Sequence, residues 1–546
     1  MSQFRTVRTL PVGVVCLLAG MPLWAQQITP GPGGGAHRIA VGTEVVRVPA
    51  IVTDRSGAHI PDLTIEDFTI LENGQPQKIA FFEHIQTKPE LLKPQASPEN
   101  EVTNTFEKSS GRLTIILLDM LNTSFRDQER ARRSIIKFLG ETMVATEPVA
   151  LMTLNPGGIR VIHDFTTDPS VLAEALKRVP GQQSVTEIAH PVQIDETILG
   201  RNPLAEANRL RAIEMQENVT NYYSAGGVEQ TLVSLREIDE AFAGIPGRKS
   251  LIWATGGLPF PTDDKQVVKA WTGGLSAMYE DTWRAMNRAD IAIYPLDVQG
   301  LVNPSYVSPA YNPSFRSRRI YGTPSLHTTV YDMENFAHMT GGRMCYVRTE
   351  IEGCMREAAA DSSDYYLLGF YPEPDPKRTG WRKISVRVER ADAKVHARTS
   401  YYMGSSHDSE SGRKEDLQLG LVSPLNYTDL PLTVRWVGNN EVGVKEKIGF
   451  QFRLAQGAAT VDEADGNHVS MDFAALAIST RGKIEGQFTK QMEGRIGTAQ
   501  VDVLKSGKAF FPGELELAPG DYMVRFVARD NLTGRMGSIS TPLKVQ

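Results

Sequence analysis

Apolar and polar positions follow two rhythms along this chain, and the change between them divides it. From Thr114 to Leu118 every residue is β-branched or leucine. Such a run fits a strand buried on both faces, at the centre of a parallel sheet. It stops at Asp119. After a short polar turn, Phe125, Ala131, Ile135, Ile136 and Leu139 fall at helical spacing, with charge between them and Thr123 or Ser124 as the N-cap. Asp119 and Thr123 therefore stand at the carboxyl end of the strand, where open α/β sheets hold their ligands.

The same alternation of strand and helix runs on. PVALMTLN (148–155) and GIRVIHDF (158–165) are two strands joined by a link too short for a parallel crossover, so they predict an antiparallel edge hairpin. Helices are predicted over 168–179 and from Val228, where Leu232, Leu235, Ile238 and Phe242 share a face. Further strands are SLIWA (250–254), ADIAIYPL (289–296), which ends at Asp297, and 343–347. A closing helix covers 351–362. This pattern predicts one α/β domain over 110–362.

Outside it the rhythm is two. Residues 41–85 read as strands punctuated by Ser56-Gly57 and Asn73-Gly74, the second a hairpin signal. Residues 363–403 alternate like half-exposed strands and are the expected partners of 41–85, forming a small β module. Lys88 to Ser110 reads as a polar connector, and Gly404 to Asp416 as a linker. Residues 417–546 contain only strand-like runs, RIGTAQVDVL (495–504) among them, and predict an immunoglobulin-like antiparallel β-sandwich.

Composition changes this picture in two respects. With 546 residues, 58 basic against 64 acidic and a formal charge of −6, the chain is long enough for about three domains. It carries no charge excess suited to nucleic acid or an anionic membrane. The start differs from the rest: Arg5 and Arg8 precede a largely apolar Leu10–Leu23, with a cleavage point after Ala25. Residues 1–25 read as a secretory signal peptide. The expected location is exported: periplasm, outer surface or medium. No later stretch reaches the length of a membrane span, so no transmembrane segment is expected in the mature chain. That leaves Cys345 and Cys354, which in an oxidising compartment form a disulfide or else remain buried thiols.

Chemistry-bearing motifs are sparse. The ten histidines form no HExxH pair, and neither a GxSxG elbow nor a phosphate-binding glycine loop occurs. The expectation is that the chain is not an enzyme. The aperiodic stretch 298–321, rich in tyrosine, serine and proline with Arg316, Arg318 and Arg319, is either a contact surface or a merely solvated loop.

LLDMLNT (117–123), the helix with Arg132 and Arg133, LIWATGG (251–257), YDMENFAHMTGG (331–342) and DYYLLGFYPE (364–373) together resemble a von Willebrand factor type A domain. More closely they resemble the bacterial exported proteins called VWFA-related, as does IVTDRSG…LTIEDFTILENGQPQKI in the N-terminal part. The resemblance covers about residues 41 to 402 and implies a Rossmann-like fold for 110–362. It also implies a magnesium site, an Asp-x-Ser-x-Ser turn completed by a distant threonine and a later aspartate, because Mg²⁺ takes hard oxygen ligands in a near-octahedral shell. Asp119 matches the first aspartate, Thr123 the second serine and Thr231 the distant threonine. Leu121 stands where the first serine belongs, and Gly256 where the later aspartate belongs. Two readings stay open. Either Mg²⁺ is held by Asp119, Thr123 and Thr231 in a degraded site, or Asp119 only caps the following helix and its loop. The function expected is an exported, non-enzymatic protein-binding or adhesion-type protein that uses the strand-end face toward an unknown protein partner. The alternative is a structural or assembly factor of the cell envelope without metal dependence.

Overall fold

The computed structural model describes residues 45–87, 91, 93, 95–106, 112–141, 148–184, 226–257, 275–298, 326–345, 351–372, 380–403, 410–442 and 445–546. The stretch expected as a signal peptide (1–25), the glycine-rich stretch after it and residues 299–325 lie outside the described residues.

A five-stranded sheet forms the middle of the molecule. Its order is β10 (Ile291–Asp297), β9 (Lys249–Thr255), β6 (Leu113–Asp119), β7 (Val149–Asn155), β8 (Gly158–Thr166). β6 runs parallel to β7 and β9, β9 runs parallel to β10, and β8 closes one edge antiparallel to β7. All seven residues of β6 and of β9 are buried. Alternate side chains of β6 feed two cores. Ile115 and Leu117 pack with α3 (226–242), α4 (Leu275–Ala289) and α5 (Leu326–Thr340). Ile116 and Leu118 pack with α1 (Phe125–Glu141), α2 (Pro169–Lys177) and α6 (Ile351–Asp361). Helices on both faces explain why the strand sequence is continuously apolar.

Of the strand expected over 343–347, the described residues show one parallel bridge, Cys345 to Leu296 on β10, and residues 346 and 347 lie outside them. Its backbone N–H donates to the Pro295 carbonyl at 2.9 Å, and its carbonyl accepts from the Asp297 N–H at 3.2 Å. Cys345 is disulfide-bonded. The side chain of Cys354 lies outside the described residues, so the Cys345–Cys354 pairing remains an expectation.

Two four-stranded antiparallel sheets flank this unit on one side. One has the order β13 (Lys394–Ala397), β1 (Val46–Thr53), β11 (Asp364–Phe370), β4 (Ile79–Gln86). The other has the order β14 (Ser400–Met403), β12 (Gly380–Val388), β2 (Phe68–Glu72), β3 (Gln75–Gln77). Val48, Ala50, Phe68, Ile70, Tyr366, Leu368 and Ile384 form their common core. The β2–β3 turn puts Asn73 and Gly74 both at positive φ, 48° and 84°, which an Asn-Gly pair tolerates.

His396 of β13 reaches the α/β unit, its Nε2 donating to the Gly342 carbonyl 2.7 Å away. Burial, then the neighbouring guanidiniums of Arg343 and Arg248, push its pKa down from 6.5 to about 4. A folded-state value below the unfolded one gives stability that is complete above the unfolded pKa and is lost as pH falls toward the folded one. Urea-unfolding midpoints should therefore drop as pH falls through this window, and His396→Gln should flatten the upper part of the drop. An equal slope in the variant would remove this assignment.

The remaining chain builds two more antiparallel sheets that share one core. Their orders are β19 (Phe511–Leu517), β16 (Lys445–Leu454), β15 (Leu432–Val442), β5 (Glu101–Thr103), and β18 (Ile484–Arg495), β17 (His468–Ser479), β20 (Gly520–Asp530), β21 (Met536–Val545). Here the structure departs from the sequence expectation in three places. The connector 88–110 contributes β5, which pairs with Thr433–Arg435 of β15. Asn104 fixes it there, donating to the Tyr427 and Leu430 carbonyls at 2.7 and 3.0 Å. The linker before 417 is part of helix α7 (Glu410–Val422), which buries Asp416, Leu417 and Gly420. The run read as a strand at 495–504 ends in helix α8 (Thr498–Lys505), because Val501 and Leu504, three apart, are the residues buried. No described helix is long and apolar enough to cross a membrane.

Candidate functional site

The carboxyl ends of β6 and β9 meet the N-terminal ends of α1 and α3 around Asp119. Its side chain is fully buried, at 0% exposure. Oδ1 accepts from the backbone N–H of Leu121 at 3.0 Å and of Asn122 at 2.8 Å. Oδ2 accepts from Asn122 Nδ2 at 3.0 Å and from Thr255 Oγ1 at 2.8 Å. Burial pushes the carboxyl pKa above its ordinary value, and these four bonds pull against that shift. With all four donors aimed at it, the ionised carboxylate is the form the pocket suits.

The other two residues singled out by sequence meet in the same place. Asn122 Nδ2 also donates to Thr231 Oγ1, 3.0 Å away, and Thr231 donates in turn to the Gly227 carbonyl at 2.7 Å, inside its own helix. Thr123 Oγ1 accepts from the Gly256 N–H at 2.8 Å. Asp119, Thr123 and Thr231 are thus gathered in one buried cluster, each fully covered.

Two participants were not read from the sequence. Thr255 ends β9 and bonds both Asp119 and the Gly257 carbonyl. Gln128, on the first turn of α1 and fully buried, donates through Nε2 to the carbonyls of Met120, Thr123 and Gln182 and accepts from the Gln182 N–H. It ties the β6–α1 turn to the end of α2. The available signal was a polar residue on the helix face that otherwise carries Ala131 and Ile135. At the helix start, Ser124 Oγ donates to Asp127 Oδ2 at 2.7 Å and accepts the Asp127 N–H, a reciprocal cap.

The residues present do not fit a divalent cation. Both oxygens of Asp119 are filled by protein donors. The hydroxyl of Thr231 is committed to Gly227 and Asn122, and Thr123 accepts from Gly256. An amide nitrogen, Asn122 Nδ2, stands between Asp119 and Thr231, and a positive N–H edge repels a metal ion. The position of the missing later aspartate is also closed. A Cβ on Gly256 would stand 3.0 Å from the Asn122 carbonyl oxygen and 3.2 Å from Thr123 Cα, nearer than side chains normally pack. Asp297 ends β10 one strand further out, paired with Thr255. The one acceptor left over is Asn122 Oδ1, buried with no hydrogen-bond partner among the described residues.

No family model matches the chain, and no curated protein matches it. Among solved structures, the chain is similar to the SpRpn10 VWA domain, with 13% identity over 34% of this chain and 74% of that one, at a TM-score of 0.16. It is also similar to a Bacteroides uniformis β-glucuronidase, with 10% identity over 34% of this chain and 19% of that one, at a TM-score of 0.15. A β-glucuronidase from glycoside hydrolase family 2 matches with 7% identity over 30% and 19%, again at 0.15. The chain spans about a fifth of the length of those two hydrolases. The expectation that the chain is not an enzyme is corrected on this finding: enzymes stand among its structural matches. At such TM-scores neither kind of likeness carries an argument about what the chain does.

Proposed function

We propose that this chain is an exported protein of the VWFA-related kind, whose α/β unit offers the carboxyl ends of its strands to a protein partner without a divalent cation. The observation that carries this reading is the Asp119 carboxylate, saturated by four protein donors at the position where the resemblance implies magnesium. A turn locked by hydrogen bonds presents a fixed surface in any ionic medium, whereas a coordinated one depends on metal supply. Support for a contact role comes from Phe125, which opens α1 beside this turn and remains 49% exposed. A half-exposed aromatic ring at the start of this helix offers apolar area for a partner to bury. In this reading the two sheets of the C-terminal β unit form a sandwich, and the disulfide of Cys345 is closed by Cys354.

Crosslinking capture from the native envelope, with the full chain as bait, tests this. The same partner should be recovered in magnesium and in chelator by the wild type, and lost with Phe125→Glu. Loss of the partner in chelator would overturn the metal independence. Retention of every partner by Phe125→Glu would overturn the surface.

A further inference from the structure

A second charged cluster lies away from the strand ends, where the C-terminal β unit meets α3. The segment 427–430 belongs to that β unit. Its Tyr427 N–H donates to Ser538 Oγ at 2.8 Å and its Leu430 N–H to the Met536 carbonyl at 2.8 Å, both on β21. The same segment lies against the end of α3, where the Thr428 N–H donates to the Glu240 carbonyl at 2.9 Å. Asp429, the next residue, meets the Glu240 side chain through one guanidinium. Arg288 of α4 stands 2.8 Å from Glu240 Oε1 through Nη2 and 3.2 Å from Asp429 Oδ2 through Nε. Two carboxylates, one from each unit, thus share one cation.

The second oxygen of Glu240 is not provided for. Oε2 is buried and meets no donor among the described residues, and the same holds for Oδ2 of Asp239 beside it on α3. The other cations packed around Glu240 are bonded elsewhere. Arg236 of α3 and Arg529 of β20 are bonded to Asp416 of α7 at 2.6 and 2.8 Å, and Arg284 to Asp281, both on α4. Lys249 of β9 donates to the Phe242 and Ile245 carbonyls at 3.2 and 2.7 Å. Glu237 of α3 and Tyr427 complete the surroundings and add no positive charge. An ionised Glu240 therefore buries a half-satisfied charge opposite Asp429, which is costly. A proton on Glu240 removes that charge and makes the carboxyl a donor. Burial first, and then the charges of Asp429 and Asp416, push its pKa up from 4.5 to about 7 against the pull of Arg288 and Arg236.

We propose that the seam between the α/β unit and the C-terminal β unit is a proton-operated latch, closed when Glu240 carries a proton and loosened when it ionises against Asp429. A carboxyl raised in the folded state gives its full stability below the unfolded value and loses it as pH rises through the folded one. The latch therefore weakens from acid toward neutral pH. This inference is independent of the function proposed above.

Hydrogen–deuterium exchange of the full chain reads the seam directly, because the Thr428 N–H is one of its bonds. Protection of Thr428 should fall in the wild type between about pH 5 and 8 relative to Glu240→Gln at the same pH, whose amide copies the protonated carboxyl. The unfolding constant of the wild type relative to this variant should rise roughly a hundredfold from pH 4.5 to about 7. His396 and Lys249 titrate in both chains and cancel in the comparison. A ratio of protection or of unfolding constants that stays level with pH would overturn the latch. Should Glu240→Gln fail to fold, Asp429→Asn decides: without the facing charge the loss of Thr428 protection should begin at lower pH, and a loss at the wild-type pH would overturn the proposal.

Discussion

Asp119→Ala should destabilise the protein by about 4 kcal/mol, because it strands four buried donors at once. These are the N–H groups of Leu121 and Asn122, the Asn122 amide and the Thr255 hydroxyl. No water can readily replace the carboxylate, since the side chain is fully covered. Asp119→Asn keeps one acceptor oxygen but turns an amide toward a donor, so about 2 kcal/mol is expected. Urea denaturation followed by tryptophan fluorescence reads both, Trp253 being buried on the neighbouring β9. The loss should be the same with magnesium and with chelator. A variant as stable as wild type would mean that the turn does not depend on this carboxylate.

The second large effect is expected at Asp416. It is the common anion of Arg236 from α3 and Arg529 from β20, with all three side chains largely buried. Those two contacts join helices of the α/β unit to the C-terminal β unit through α7. Removing the shared carboxylate leaves two buried guanidiniums facing each other, a loss of about 3–5 kcal/mol. The segment after α7 adds to the seam: Thr428 donates to the Ala241 carbonyl at 2.8 Å and accepts from the Gly244 N–H at 3.0 Å. A Cβ on Gly244 would come 1.9 Å from the Thr428 carbonyl oxygen, so the two backbones are in direct contact. Asp416→Ala should therefore split one calorimetric unfolding transition into two, the C-terminal unit separating from the rest. A single transition at the wild-type temperature would show that the seam does not need this ion pair.

The sequence was most legible where burial dictates composition. TIILLD reads as a central strand because both of its faces are covered, by α3, α4 and α5 on one side and α1, α2 and α6 on the other. The antiparallel edge of β8 followed from a link too short to cross over. β5 was hidden because three residues carry no periodic signal, and its partner, β15, lies some 330 positions away. α8 was mistaken for a strand because Ala499, Val501 and Val503 alternate, while the structure buries Val501 and Leu504. α7 was hidden by its charge: ESGRKED looks like a linker until Asp416 finds Arg236 and Arg529.

At the strand ends the sequence supplied the residues and a resemblance supplied a chemistry for them. Leu121 and Gly256 already signalled missing ligands. What they could not signal was the replacement, in which Asn122 spans Asp119 and Thr231 and Thr255 takes the remaining lone pair. Such a substitution of donors for a cation depends on side chains from three separate segments, and only their placement in space reveals it.

Calorimetric titration of the chelator-stripped full chain with magnesium chloride is the most direct test of that replacement. No saturable heat and an unchanged melting temperature are expected through the millimolar range. Saturable binding that Asp119→Asn abolishes would mean that a cation, and not the hydrogen-bond network, organises the strand ends.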